Sequence, residues 1–527
     1  MRMALVSASV ALSAALAIAA VDPAMAQQKV LKIVPHADLR ITDPLITTAG
    51  ISRQHGLMVY EGLFAWDASM APKPLMVEDY TVSQDKLTYT FKLRAGLKFH
   101  DGSPVRSQDV IPSLKRWATN DSMGGNLIKT AASLDVIDDR TFRIVLKEPY
   151  SWVEYTLGSS GAIMTGIMRE KDALTDPKVA VQDVVGSGPF RFVKSEWQPG
   201  NRVVYEKNPD YVPRAEPADG LAGARLVKVD RVEWRVIPDP ATAAAALAAG
   251  EVDLWDTVPI TLLPVLQGNP NVTVEKIQPF KSMAMMRPNH LHPPFNDPRA
   301  RQALALIVNQ ADYMHATIGD QRWWRECFSI FICEHRYGSE AGSEPYRKQD
   351  LAKAKQLMAE AGYKGEPIVI PLAEDLPIVK SLTLVTAENL KKIGVNVDLQ
   401  SADWGAVITR AGKKDAPAAG GWHLFHSWLF ASTWGNPLVN IGINSPCDQT
   451  NWLGWPCDAE TQTLRAAFIS APDEPARQAA LDRLHRRLMV TFPYIPLGSF
   501  DSLFAWRKEV KDVLKANVLV FWNISKS

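Results

Sequence analysis

The run Leu93–Trp117, LRAGLKFHDGSPVRSQDVIPSLKRW, constrains this chain more than any other stretch. Phe91, Leu93, Leu97 and Phe99 supply the apolar positions of a strand. His100-Asp101-Gly102-Ser103-Pro104 is dense in turn formers, with Gly102 free to take a positive φ. Ser107 follows as a helix cap, and Asp109 stands in the first turn, where the helix dipole favours a carboxylate. Strand, tight turn and helix are therefore predicted in succession. Pro112 removes one backbone donor, which predicts that the helix starts late or kinks.

Beyond that run, elements alternate along the chain. Val30–Val34 reads as a strand, Ile51–Phe64 as a helix, and Tyr80–Arg94 as a hairpin turning at Gln84-Asp85-Lys86. Val229–Val236 alternates as a strand. Asp239-Pro240 then opens a helix by N-cap and N1 chemistry, Gly250 closes it, and Glu251–Leu254 returns as a strand. Ile368–Leu372, Val379–Ile393 and Val395–Gln400 repeat the strand, helix, strand order, which indicates an α/β layer with parallel pairing. A last long helix covers Glu474–Val490.

Taken whole, Leu93–Trp117 resembles the signature of the family 5 extracellular solute-binding proteins, the peptide- and nickel-binding components of ABC importers. There a strand ending Leu-Arg is followed by Phe-His-Asp-Gly and by a helix opening on an acidic residue and Val. Other landmarks resemble the same family: Tyr60-Glu61-Gly62-Leu63, Gly186-Ser187-Gly188-Pro189, Asn208-Pro209-Asp210-Tyr211, the run Pro293–Leu304 and Glu360-Ala361-Gly362-Tyr363. The resemblance implies an α/β, two-lobed periplasmic-binding-protein fold with an extra domain inserted in the first lobe. Residues 27–65, 187–282 and 493–527 would form lobe I, 66–186 the inserted smaller domain, and 283–492 lobe II.

Residues 1–26 read as a secretory signal peptide. Arg2 gives a positive n-region, Ala4–Ala20 an apolar h-region, and Ala24-Met25-Ala26 an A-x-A cleavage site. Cleavage after Ala26 predicts a periplasmic protein beginning at Gln27. No Cys follows the site, so a lipid anchor there is unsupported. About 500 residues remain, enough for two or three domains. The formal net charge is +1, and losing Arg2 and Asp22 leaves it unchanged. No basic face points to a nucleic-acid partner. The 16 Trp argue for large cores and for aromatic walls in a cleft.

Four Cys fall into two local pairs, Cys327/Cys333 and Cys447/Cys457. In an exported chain this pattern reads as two disulfides. A four-Cys zinc site would show two-residue spacings, which are absent. The context of Cys447/Cys457 also resembles a disulfide found in some family members.

The segment Gly421–Asn440, GWHLFHSWLFASTWGNPLVN, is the richest in binding chemistry. Peptide binders of the resembled family carry here a Trp, then Gly-Asp, then Asp-Pro, and the first Asp pairs with the free amino group of the peptide. The Trp matches Trp428, the Gly-Asp position falls on Ala431-Ser432, and the Asp-Pro becomes Asn436-Pro437. The ammonium-binding acid is therefore missing, and an ammonium buried without a counter-charge costs several kcal/mol. Free dipeptides are expected to bind poorly unless another acid serves, with Asp38 and Asp403 beside Trp404 as candidates. Asp38, Trp404, His426, Trp428, Ser432, Thr433, Trp434 and Asn436 are the expected ligand contacts, each weighed against a core or turn role. The hydroxyls and amide suit sugars, amide-rich solutes or blocked peptides. Arg322-Trp323-Trp324-Arg325 reads either as a carboxylate clamp or as a surface loop pinned by the nearby disulfide, the second being favoured.

Catalytic and metal signals are weak. Ser83-x-x-Lys86 falls on a hairpin turn and has no Ser-Asp-Asn or Lys-Thr-Gly companion. His290 and His292 lack a third ligand. No catalytic residue, metal or cofactor is expected. The chain reads as a monomeric substrate-binding component of an ABC importer. It would bind a small-molecule or short-peptide ligand and deliver it to an inner-membrane permease with its ATPase. A secreted hydrolase on the same scaffold and a ligand-presenting sensor subunit are the rival readings.

Overall fold

The central strand Val30–Val34 organises one half of the molecule. In a computed structural model, which describes residues 28–161 and 163–527, this strand runs parallel to both neighbours, with Ile33 beside Trp234 and Leu254. The secretory signal read in residues 1–26 lies outside the described residues. Seven strands form the sheet, in the order Val272–Glu275, Phe504–Arg507, Leu254–Trp255, Val30–Val34, Arg231–Arg235, Arg202–Lys207 and Phe190–Phe192. The helix Pro240–Ala249 carries the chain over the central strand. Its ends follow the sequence reading: Asp239 accepts from the Thr242 N–H at 2.7 Å, and Gly250 closes it at φ 78°. The helix predicted to reach Phe64 stops at Val59, because Tyr60 is already extended.

A second sheet has four antiparallel strands in the order Trp324–Arg325, Ile495–Phe500, Ser282–Pro288 and Leu424–Leu429. The parallel pair Ile368–Ala373 and Val397–Ala402 lies alongside, joined where Val369 donates to the His423 ring at 2.9 Å. Ile495–Phe500 departs from the lobe I range 493–527 expected from sequence, since it pairs with Ser282–Pro288 and only Phe504–Arg507 reaches the seven-stranded sheet. All six of its residues are buried, so its pattern carries no mark of which sheet receives it. The chain thus passes between sheets twice, at 276–281 and at 501–503.

The signature run folds within a third unit, an antiparallel sheet of Val77–Val82, Thr88–Leu93, Thr141–Leu146 and Ala131–Val136. Phe99 donates to the Ser103 carbonyl at 2.8 Å, and Gly102 takes φ 86°, as the turn requires. The helix spans Ser107–Asn120, but its cap is Arg106 rather than Ser107. The Asp109 carboxylate accepts the Arg106 N–H at 2.8 Å and closes the first turn. Pro112 sits inside this helix without ending it. Arg116, one turn on, makes a fully buried ion pair with Asp43 at 2.8 Å, tying the unit to the loop after the central strand.

His100 has a structural role. Its N–H donates to Gly186 at 2.7 Å and its ring meets the Gly188 carbonyl at 3.0 Å, where the chain returns to the seven-stranded sheet. Burial holds its pKa down at about 4. Asp101 is likewise engaged, by Ser103 and by Arg169 at 2.8 Å. Both cysteine pairs are bonded, Cys327 to Cys333 and Cys447 to Cys457.

Candidate ligand-binding cleft

The parallel strands Val30–Val34, Arg231–Arg235 and Leu254–Trp255 end on the same side of the large sheet. Ligands of open α/β sheets bind beyond such carboxyl ends. A cavity of about 440 Å³ lies there, lined from the first sheet by the segments 34–38, 236–238 and 255–261. The facing wall comes from the second sheet and its helices. Thr317 and Ile318, the start of the helix Pro377–Lys392, Trp428 and Phe500 face inward. Asp501, Ser502 and Leu503, on one of the two crossings, complete the lining. The site therefore lies between the two sheets, beside the segments about which they would close.

Three carboxylates line this largely apolar space. Asp256 is held by His36 Nδ1 at 2.7 Å, by the Thr257 hydroxyl at 3.0 Å and weakly by Gln54 at 3.4 Å. Thr257 adopts φ 68°, a left-handed backbone uncommon for a β-branched residue, and so keeps its hydroxyl on Asp256. Asp501 is bracketed by Lys281 and by Lys276 at 3.4 Å. Asp38 differs. The Arg40 Nε lies 2.5 Å from one oxygen but at an angle that makes no hydrogen bond, and among the described residues neither buried carboxylate oxygen has a hydrogen-bond donor. The N-terminus of the helix Pro377–Lys392 adds positive potential to the opposite wall.

Of the residues singled out in the sequence, Asp38 and Trp428 line this cavity. His426 lies under the helix Pro377–Lys392, with its ring between Thr383 at 3.2 Å and Thr386 at 2.8 Å. Burial holds its pKa down at about 3, so it is a neutral core imidazole. Trp434 packs edge-on against Trp452 and Tyr494, at 5.3 and 4.9 Å between ring centres. Trp404 stacks on Phe425 at 5.9 Å, away from the cavity, and Asp403 caps the helix Trp404–Ala411.

Ser432, Thr433 and Asn436 belong to the turn after Trp428. The Ser432 side chain is fully buried, its hydroxyl has no partner among the described residues, and its carbonyl packs against Gly161. Thr433 bonds its own turn at Phe430, 3.0 Å away. Asn436 accepts from Leu438 and Val439 and donates to the Tyr155 hydroxyl at 3.1 Å. In the Arg322–Arg325 cluster, Arg322 pairs with Asp320 and Trp324 joins an edge strand.

Trp255, Asp256 and Phe500 were missed from sequence. Asp256 could have been suspected, because it lies just beyond the strand read at Glu251–Leu254, whose strand, helix, strand order indicates parallel pairing.

A model of the bacterial extracellular solute-binding proteins, family 5, middle region, matches residues 71–442. The chain belongs to this family. It is 38% identical over 493 residues to a probable peptide ABC transporter periplasmic-binding protein of Sinorhizobium fredii, covering 93% of this chain and 92% of the relative. A glutathione-binding protein of Pectobacterium atrosepticum is 29% identical over 468 residues, covering 87% of this chain and 86% of the relative. Among solved structures, the periplasmic binding protein DppA from Helicobacter pylori in complex with the peptide STSA superimposes with a TM-score of 0.79 at 22% identity. That match covers 95% of this chain and 98% of the other.

The fold is the α/β, two-lobed architecture of these binding proteins. The protein is the substrate-binding component of an ABC importer, with a membrane permease and its ATPase as partners. The family is one of solute binders rather than enzymes, and it acts outside the cytoplasmic membrane. Among the described residues no helix is long and apolar enough to cross a membrane.

Proposed function

We propose that the protein captures a short peptide-like solute bearing a free amino group, and that Asp38 takes the role of the missing acid at Ala431-Ser432. The carrying observation is the Asp38 carboxylate, which lines the cavity with both oxygens lacking a hydrogen-bond donor. A carboxylate so placed stabilises a ligand ammonium by a charge-assisted hydrogen bond. Asp256 and Asp501 line the same space, but both already accept side-chain hydrogen bonds, whereas among the described residues Asp38 has only its ion pair with the exposed Arg40, which a ligand ammonium can displace. The helix end at Leu376–Ile378 favours the carboxylate end of the solute, and Trp255, Trp428 and Phe500 favour apolar side chains between. A cavity of about 440 Å³ is within the range that holds small organic ligands. The peptide and glutathione relatives support this class of solute.

The chain performs no chemistry on its solute in this reading, and cleavage after Ala26 releases it into the periplasm. It carries solute in the periplasm as a monomer, in two lobes and an inserted domain bounded as the sequence suggests except at 493–503. N-terminal sequencing of the exported protein tests the cleavage site.

Calorimetry of a panel of free di- to tetrapeptides and their N-acetylated forms tests the solute class. Free peptides bind, N-acetylation weakens binding about tenfold or more, and Asp38→Asn removes that preference. Equal binding of free and acetylated peptides by both proteins would sink the assignment of Asp38.

A further inference from the structure

A second cavity, of about 410 Å³, shares no lining residue with the first. It lies where the inserted domain meets the helices of the second half. On one side are Trp152, Glu154 and Tyr155, and on the other Glu334, Arg336 and Arg477. The contact around it is specific. The Trp152 indole donates to the Ile469 carbonyl at 3.0 Å, and Arg477 lies 4.7 Å from the Trp152 ring centre while reaching Ser151 at 2.9 Å.

The charges that face this space are unevenly matched. Arg336 and Arg477 both bond the same oxygen of Glu474, each at 2.8 Å, and Glu474 itself is not part of the lining. Two guanidinium groups thus share one carboxylate, and the buried Arg477 Nε has no acceptor among the described residues. Glu334 is paired with Arg325 at 3.0 Å, yet both its buried oxygens lack a hydrogen bond. Glu154 faces the cavity beside the Tyr80 hydroxyl. His335, also on the wall, is kept neutral by burial, with its pKa lowered to about 4. Cationic and anionic ends stand around aromatic walls formed by Trp152, Tyr155, Tyr337 and Phe280.

We propose that this cavity is a second solute site, selective for a zwitterion of amino-acid size with an apolar or aromatic side chain. Its carboxylate meets Arg336 and Arg477, its ammonium meets Glu334 and Glu154, and its side chain lies on Trp152. Because Glu154 and Trp152 belong to one domain and the other groups to another, an occupant holds the two together. Occupancy of this site and closure about the first cavity then favour each other reciprocally.

The test uses full-length mature protein labelled with 5-fluorotryptophan, with the Trp152 and Trp428 resonances assigned from W152F and W428F. The probes are L-phenylalanine, N-acetyl-L-phenylalanine and L-phenylalaninamide. L-Phenylalanine shifts the Trp152 resonance saturably, and blocking either end weakens binding about tenfold or more. In Glu334→Gln the preference for the free over the acetylated form narrows severalfold, and in Arg336→Gln so does the preference for the acid over the amide, Glu154 and Arg477 remaining. Arg336 is exposed, so its replacement leaves folding intact, which circular dichroism checks. The proposal is overturned if Trp152 does not respond, if all three probes act equally, or if both discriminations are undiminished in the variants. Movement of Trp428 alone assigns binding to the first cavity and overturns it as well. In Asp38→Asn the Trp152 response still saturates and still distinguishes the three probes, only its midpoint moving with the coupling to the first cavity, so the two sites succeed or fail separately.

Discussion

Lys281 meets Asp501 side chain to side chain across the two segments by which the chain passes between its sheets. Lys281 directly precedes the strand Ser282–Pro288, and Asp501 directly follows Ile495–Phe500. Lys276 reaches the other Asp501 oxygen at 3.4 Å. The crossings are therefore clamped by charge at a point that also lines the cleft. A hinge closure about these segments would bend the backbone on either side of the clamp.

Asp501→Asn keeps the size of the side chain and leaves Lys281 without its counter-charge. Asp501 is 4% and Lys281 15% exposed, so water only partly replaces the lost partner. The expected loss is about 2 kcal/mol, below that of a fully enclosed pair. It is read as a lower urea midpoint at unchanged slope. A midpoint equal to wild type would mean that the clamp contributes nothing to stability.

Trp428 and Trp434 stand six residues apart in one segment and are expected to respond oppositely. Trp434→Ala opens a hole against Trp452 and Tyr494 and lowers stability by about 3–5 kcal/mol. Trp428→Ala removes a cavity wall, leaves stability within about 1 kcal/mol and weakens solute binding about tenfold or more. Denaturation and titration of both variants check the pair. Equal loss of stability at the two positions would place Trp428 in the core.

What was legible in the sequence was local. Asp239 caps its helix and Gly250 closes it as read, because a cap and its target lie within a few residues. The signature turn at Gly102 is equally local. The sheet that receives Ile495–Phe500 was not legible, since its partners lie some two hundred residues away. The cleft shows the same division. His426 and Trp428 share one face of a strand, and sequence offered no reason to separate them. The helix Pro377–Lys392 covers His426 through Thr383 and Thr386, and its first turn stops at the cavity that Trp428 faces. Where a helix ends over a strand is set by tertiary packing, not by either sequence alone.

Acid should unfold this protein through its buried histidines. Burial lowers the pKa to about 3 for His55 and His426 and to about 4 for His423 and His485. Each folded value lies below the unfolded value of about 6.5, so the unfolded chain binds more protons between the two. The contribution of each group is complete above about 6.5 and shrinks as the pH falls, by about 1.4 kcal/mol per unit per histidine. Midpoints of urea unfolding should therefore drop steeply from pH 6 to pH 4. His426→Gln, which keeps a polar partner for Thr386, should show a shallower drop. Parallel profiles for the two proteins would show that other groups dominate the acid limb.

Gly186 and Gly102 separate two reasons for glycine within the family's landmarks. A Cβ on Gly186 would lie 1.9 Å from the Val59 carbonyl oxygen and 2.7 Å from its carbon, both rigid backbone at the end of a helix. A Cβ on Gly102 would meet nothing within 4 Å, and only its φ of 86° opposes a side chain. Gly102→Ala should therefore lose about 1 kcal/mol, the strain of a left-handed residue. Gly186→Ala should lose more than about 4 kcal/mol, because the returning strand must move off the helix. That displacement also loosens the hydrogen bonds from His100 to Gly186 and Gly188, which join the inserted domain to the large sheet. Thermal melts of the two variants should differ by many degrees, with hydrogen exchange rising at His100 in Gly186→Ala alone. If the two variants melt together, close packing at Gly186 is not what the Gly-x-Gly-Pro landmark preserves.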